Sequence, residues 1–206
     1  MLRIIFAFCL SFAATAAVAE IEIKQVTSPG GINAWVVEEP SIPFVALEIR
    51  FRGSASLDLP GKRGATNLMT GLLEEGAGDM TAQEFQTARE ALAASFSFRA
   101  YDDTLSISAR FLTENKAEAL DLLRQALVDP NFDQDALDRV RAQVLSGLAG
   151  DEKDPNTIAG NVFNAAAFGD HPYGSSSDGT VESVSALTQA DMFDAHRNAL
   201  TRDQLF

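Results

Sequence analysis

The chain has 206 residues, of which 46% are hydrophobic and 22% charged, a composition that builds a packed core and excludes a disordered chain. Against 16 Lys and Arg stand 29 Asp and Glu, for a net charge of −13, which excludes nucleic acid and an anionic membrane surface as main partners. The length fits one domain.

Met1-Leu2-Arg3 supplies one basic residue, and Ile4 to Val18 is apolar or small almost throughout. Ala17-Val18-Ala19 then puts small residues at the −3 and −1 positions of a cleavage site, before Glu20 opens polar sequence. This reads as a secretory signal peptide over residues 1–19, cut after Ala19, and predicts a periplasmic or secreted product. A membrane anchor needs ~20 apolar residues, and this run is shorter. Cys9, the one cysteine, lies in the leader behind Phe8, where a lipoprotein signal has a small residue. The exported domain, 20–206, therefore relies on its core and not on disulfides.

Residues 20–27 and 32–38 read as strands joined by a turn at Pro29-Gly30-Gly31. Over 43–52, Val45, Leu47, Ile49 and Phe51 alternate with Ala46, Glu48 and Arg50, as in a half-buried strand. Ala65, Leu68, Met69, Leu72 and Leu73 form an apolar stripe that predicts a helix over 64–75, stopped by Gly76-Ala77-Gly78. Thr81 with Glu84 is a capping box opening a second helix to about Ala94. Residues 95–101 and 104–113 read as a hairpin around Asp102-Asp103. Leu120, Leu123 and Leu127 mark a helix ended near Pro130, and Leu137 to Leu148 another, with Asp133 as its N-cap. A third helix is expected over 155–168, then a polar loop over 169–185 holding His171-Pro172-Tyr173-Gly174, then a last helix from Thr188 to Leu200. Asp203 to Phe206 reads as the start of a further strand. The order predicts an α+β fold: two layers, a largely antiparallel mixed sheet with helices packed on it.

There is no Gly-x-Gly-x-x-Gly, P-loop or Gly-x-Ser-x-Gly in the chain, and no thiol nucleophile after the leader. His171 and His196 stand too far apart to share helical ligand spacing, and each reads as a loop or helix-surface residue. Asn67, Thr70 and Gly71 fall together at i, i+3 and i+4, opposite the apolar stripe of their helix. Taken alone they are a solvated helix face. His, Glu and His at that spacing would make a zinc site with a general base. Glu74-Glu75-Gly76-Ala77-Gly78-Asp79 reads as a solvated helix end, since a carboxylate base without nearby histidines has no metal to serve.

Several stretches in order resemble the N-terminal domain of the insulinase/pitrilysin-type (M16) zinc peptidases: Gly30 to Val37, Val45 to Ser54 with Arg52-Gly53-Ser54, Gly64 to Leu73, His171 to Gly174, and Thr188 to His196. The resemblance covers nearly all of 20–206. It implies the mitochondrial processing peptidase/LuxS-like metallohydrolase fold, and a chain that stops before its last strand and before a second, similar domain. In active members the positions like Asn67 and Gly71 are histidines, the position like Thr70 is the catalytic Glu, and a further Glu ligand sits in the register of Gly147. All four slots lack those groups here. Asn67 retains a weak amide oxygen, and Thr70 holds its proton at neutral pH. The resemblance thus implies no catalytic residues, metal or cofactor on this chain, with zinc in a catalytic homologue that pairs with it as a heterodimer and encloses a peptide substrate; charged walls would attract basic peptides. The alternatives are an active zinc endopeptidase with other ligands, such as His171 with Glu75 or Glu152, and a stand-alone periplasmic binding or structural module.

Overall fold

A computed structural model describes residues 22–206. The expected leader and Cys9 lie outside the described residues. The chain divides into one unit up to Ile42 and a second from Pro43 to Phe206.

In the first unit, β1 (Lys24–Thr27) and β2 (Asn33–Val36) pair antiparallel, with Thr27 opposite Asn33. Gly31 takes a left-handed φ of 81° in the turn, which a glycine adopts without strain. Both strands are shorter than the sequence predicts, and Trp35 is 81% exposed.

The second unit is built on a three-stranded sheet. The strand β3 (Phe44–Arg52) is followed by α1 (Ala65–Leu72), the two-residue strands β4 (Gly76–Ala77) and β5 (Met80–Thr81), and α2 (Ala82–Ala91). Then come β6 (Ser95–Ala100), β7 (Thr104–Leu112), α3 (Lys116–Val128), α4 (Gln134–Asp151), α5 (Pro155–Phe168), α6 (Val181–Ala186) and α7 (Gln189–Ala199). The sheet order is β3-β7-β6, antiparallel throughout, so the α+β expectation holds. Period-two alternation turns Val45, Leu47, Ile49 and Phe51, with Leu105, Ile107, Ala109 and Phe111, toward the helices. They meet Leu68, Met69 and Leu72 of α1, Phe85 of α2, Leu122 and Leu123 of α3, Leu137 of α4 and Met192 of α7 in one core.

Several expectations need correction. The first helix ends at Leu72, three residues early, because Gly76 turns the chain into the β4–β5 hairpin that the sequence reading missed. Asp133 is the N-cap residue of α4, but its side chain accepts no capping hydrogen bond. The segment 169–185 is not all loop: Thr180 and Ser183 form a capping box that opens α6. With one buried residue, Val184, that helix is too short to show a period. Asp203 begins no regular strand. A 3₁₀ turn at Arg202–Gln204 leads to Leu205, which bridges Phe51, and the Phe206 N–H donates to the Arg50 carbonyl at 3.1 Å.

The Thr81–Glu84 capping box is present as predicted, with the Glu84 carboxylate accepting from the Thr81 N–H at 2.9 Å. α5 begins with Pro155 behind Asp154, whose carboxylate accepts from the Asn156 and Thr157 N–H groups. It buries no residue and carries no charged side chain. Among the described residues no helix is long and apolar enough to cross a membrane.

Candidate functional site

The site the sequence singles out stands on α1. Gly64 precedes the helix at a φ of 92° and offers no side-chain cap. Asp58 replaces it from the preceding loop: its carboxylate accepts from the Gly64 N–H at 2.8 Å, the Thr66 N–H at 3.0 Å and the Thr66 hydroxyl at 2.7 Å. Burial pushes the Asp58 carboxyl up, outweighing these hydrogen bonds. A negative group at the N-terminal N–H groups also suits the helix dipole.

The face opposite the apolar stripe is solvated only in part: Gly71 is exposed and Asn67 half-buried, whereas Thr70 is covered. Thr66 and Thr70 are 2% and 5% exposed, so α1 is buried nearly all round and only Asn67 and Gly71 interrupt the cover. The Thr70 hydroxyl donates to the Asn67 carbonyl at 2.8 Å, which ties it to its own helix. Gly71 lies against α4: a Cβ there would stand 3.0 Å from Cγ1 of Val140. Val140, Val144 and Gly147 share one side of α4 at i, i+4 and i+7, so Gly147 belongs to the side that meets α1. It sits about 10 Å further along the helix from Val140, with open space where a side chain would begin. The structure therefore gathers Asn67, Thr70 and Gly71 on one helix and sets Gly147 two turns beyond their contact with α4.

The acidic end of α1 differs from expectation as well. Glu74 pairs with Arg89 and Glu75 with Arg139, and both carboxylates are about three-quarters buried. They are packed ion pairs and not a solvated helix end. Burial raises the Glu74 pKa in spite of Arg89.

His171 caps the 3₁₀ turn Pro172–Gly174: its Nδ1 accepts from the Tyr173 N–H at 3.2 Å, and its ring meets Tyr173 edge-on at 4.6 Å. His196 is not a surface residue. It lies in the last turn of α7, its Nε2 is 2.9 Å from the Leu127 carbonyl, and Phe132 meets its ring edge-on. Burial pushes its pKa below the usual value, outweighing the hydrogen bond to Leu127. The unfolded chain then binds the proton more readily, with a pKa of about 6.5. This contribution to stability is complete above about pH 6.5 and is lost as the pH falls through the folded-state value. Melting temperature should decline from neutral pH to about pH 5 more steeply in the natural chain than in His196→Gln, which keeps a donor for Leu127. Equal slopes in the two proteins would remove the assignment.

Arg63, which the sequence reading passed over, is the hub next to α1. Its guanidinium donates to the Ala55 carbonyl, to Asp102 at 2.7 Å, and to the Pro172 and Ser175 carbonyls at 3.0 and 3.1 Å. It thereby fixes the His171-Pro172-Tyr173-Gly174 segment to the start of the helix. Its partners lie 8, 39, 109 and 112 residues away in the chain, so no local pattern announces it.

A family model described as insulinase (peptidase family M16) matches residues 37–181. The chain belongs to peptidase family M16. "Non-peptidase homolog YmxG" of Helicobacter pylori is 30% identical over 155 residues, which are 75% of this M16 chain and 36% of that protein. "Uncharacterized zinc protease ML0855" of Mycobacterium leprae is 26% identical over 184 residues, 89% of this chain and 41% of the relative. The crystal structure of a peptidase M16 inactive domain from Pseudomonas fluorescens superposes with a TM-score of 0.83 at 26% identity, covering 90% of this chain and 45% of that one. Pitrilysin shares the fold, with a TM-score of 0.77 at 15% identity over 92% of this chain and 21% of its own. The chain spans less than half the length of each of these relatives.

Zinc, which the resemblance implies for active M16 members, does not fit Asn67, Thr70, Gly71 and Gly147, the positions that the resemblance assigns to its site. Asn67 offers an amide oxygen, the Thr70 proton is already directed at a backbone carbonyl, and Gly71 and Gly147 offer no side chain. Of the alternative donors, Glu75 is engaged by Arg139 and Nδ1 of His171 by the Tyr173 N–H. Among the described residues no group of three or more His, Cys, Asp and Glu could hold a metal ion.

Proposed function

We propose that this chain is a non-catalytic M16 protein that assists a zinc-bearing homologue, pairing with it and helping to enclose or hold peptide substrates. The observation that carries the reading is the donor set on α1 and α4: an amide, a hydroxyl bonded within its helix, and two glycines. Metal-dependent peptide hydrolysis needs a water activated by a fixed cation and a group to take its proton, and these side chains supply neither. The similarity to a non-peptidase homologue and to an inactive M16 domain supports the same reading. Pairing extends the proposal from the family, and action in the periplasm extends it from the leader read in residues 1–19.

The purified chain should bind no stoichiometric zinc by calorimetry and cleave no peptide in a mixed-sequence library. Expressed in its own host, it should co-purify with a chain that carries an intact His-x-x-Glu-His. One tightly held zinc per chain together with peptide cleavage would overturn the proposal. Purification without any such homologue would remove the pairing.

A further inference from the structure

We propose that residues 154–175 form a strap that opens as one unit, hinged at both ends and latched by Tyr173 to the turn between β6 and β7. This inference is independent of the proposed function. The strap consists of α5, with Asp154 as its cap, and the 3₁₀ turn Pro172–Gly174.

Its burial sets it apart. None of its residues is buried, whereas Leu148 before it and Gly179 after it are. Most helices in proteins are held by packing an apolar side, and a helix of 14 residues that buries none is marginal in water. The sides of α5 are also inverted: Thr157 and Asn164 are its half-buried residues, while Ile158, Val162 and Phe163 are exposed.

The helix and the turn are joined to each other more firmly than to the rest. Gly174 lies against the Gly169 carbonyl so closely that a Cβ at Gly174 would collide with it. Phe168 meets the Tyr173 ring edge-on at 5.5 Å, and His171 meets it from a second direction at 4.6 Å. Beyond the hinges, the hydrogen bonds that tie the strap to other described residues all reach the turn. Arg63 donates to the Pro172 and Ser175 carbonyls, and the Tyr173 hydroxyl donates to Asp103. Release of the turn therefore releases α5 with it. The hinges are Lys153, exposed between α4 and α5, and Ser176. Past Ser176 the chain is fixed again at Gly179, which is buried against the Arg63 carbonyl at a φ of 85°. Tyr173 and the Tyr101–Thr104 turn border one end of a broad trough over the outer face of the β3-β7-β6 sheet. Opening removes that border and bares the Arg63 guanidinium, 13% exposed when the strap is closed.

The test is hydrogen–deuterium exchange of the whole chain, read by mass spectrometry on peptides from α5, from 170–175 and from β7. The α5 amides should be protected at least about a hundredfold less than those of β7, and α5 and 170–175 should share one dependence on urea. Tyr173→Phe keeps the ring stack and removes the latch. It should speed exchange in both parts of the strap by about fivefold, through the loss of a hydrogen bond to a charged group, and leave β7 unchanged. Unchanged β7 exchange also certifies the fold of the variant. The proposal is overturned if α5 is protected as well as β7, or if Tyr173→Phe has no effect. Acceleration confined to α5 would show simple fraying, and equal acceleration of β7 would show that the segment opens only with the whole domain; each overturns it as well.

Discussion

Arg63→Ala should lower stability by about 3 kcal/mol, the largest loss expected of a single polar side chain here. The guanidinium side chain is 13% exposed and meets four acceptors, three of them backbone carbonyls, one from the Ala55 turn and two from the segment 172–175. Truncation takes one donor from each carbonyl, of which Ala55 and Pro172 keep another from the Asp58 and Ser175 N–H groups, and leaves Asp102 without its cation. Asp102 is 42% exposed, so most of the effect comes from the carbonyls and not from the charge pair. For a domain of this size the loss corresponds to about 6–12 °C in melting temperature. Arg63→Lys should recover less than half, because an ammonium group cannot span the planar fan of acceptors. The same variant should expose the segment around Pro172 to limited proteolysis before the rest unfolds. Native-like melting in Arg63→Ala would show that the loops are held by other means.

Gly71→His should cost about 2 kcal/mol, although histidine has the better helix propensity by a few tenths. The reason is local. A Cβ at Gly71 meets Cγ1 of Val140 at 3.0 Å, and Val140 is buried and stiff about χ1. Val140→Ala should therefore rescue Gly71→His, with a coupling of at least about 1 kcal/mol in a double-mutant cycle. Additive losses would mean that the helices separate freely at this point. The consequence bears on function. Placing His at 67 and 71 and Glu at 70 would require Val140 to give way at position 71.

Much of this fold was legible in the chain. The alternation of β3 and β7, the stripe of α1 and the Thr81 and Thr188 caps are local patterns, and local patterns set local structure. The candidate helix was legible for the same reason, since Asn67, Thr70 and Gly71 stand within one turn. What escaped was of longer range or shorter length. The six-residue α6 and the two-residue strands carry too few side chains to show a period. The burial of Thr66 and Thr70 depends on what packs over them, and the pairing of Glu74 with Arg89 and Glu75 with Arg139 depends on helices folded alongside.

The sequence by itself determined that Asn67, Thr70, Gly71 and Gly147 carry no imidazole or carboxylate, because residue identity needs no fold to be read. The tertiary structure alone decided that Gly71 stands against Val140, that Arg63 joins three separate segments, and that Glu74 and Glu75 are paired with Arg89 and Arg139. Each of those rests on contacts between residues far apart in the chain, which exist only once the strands and helices have met.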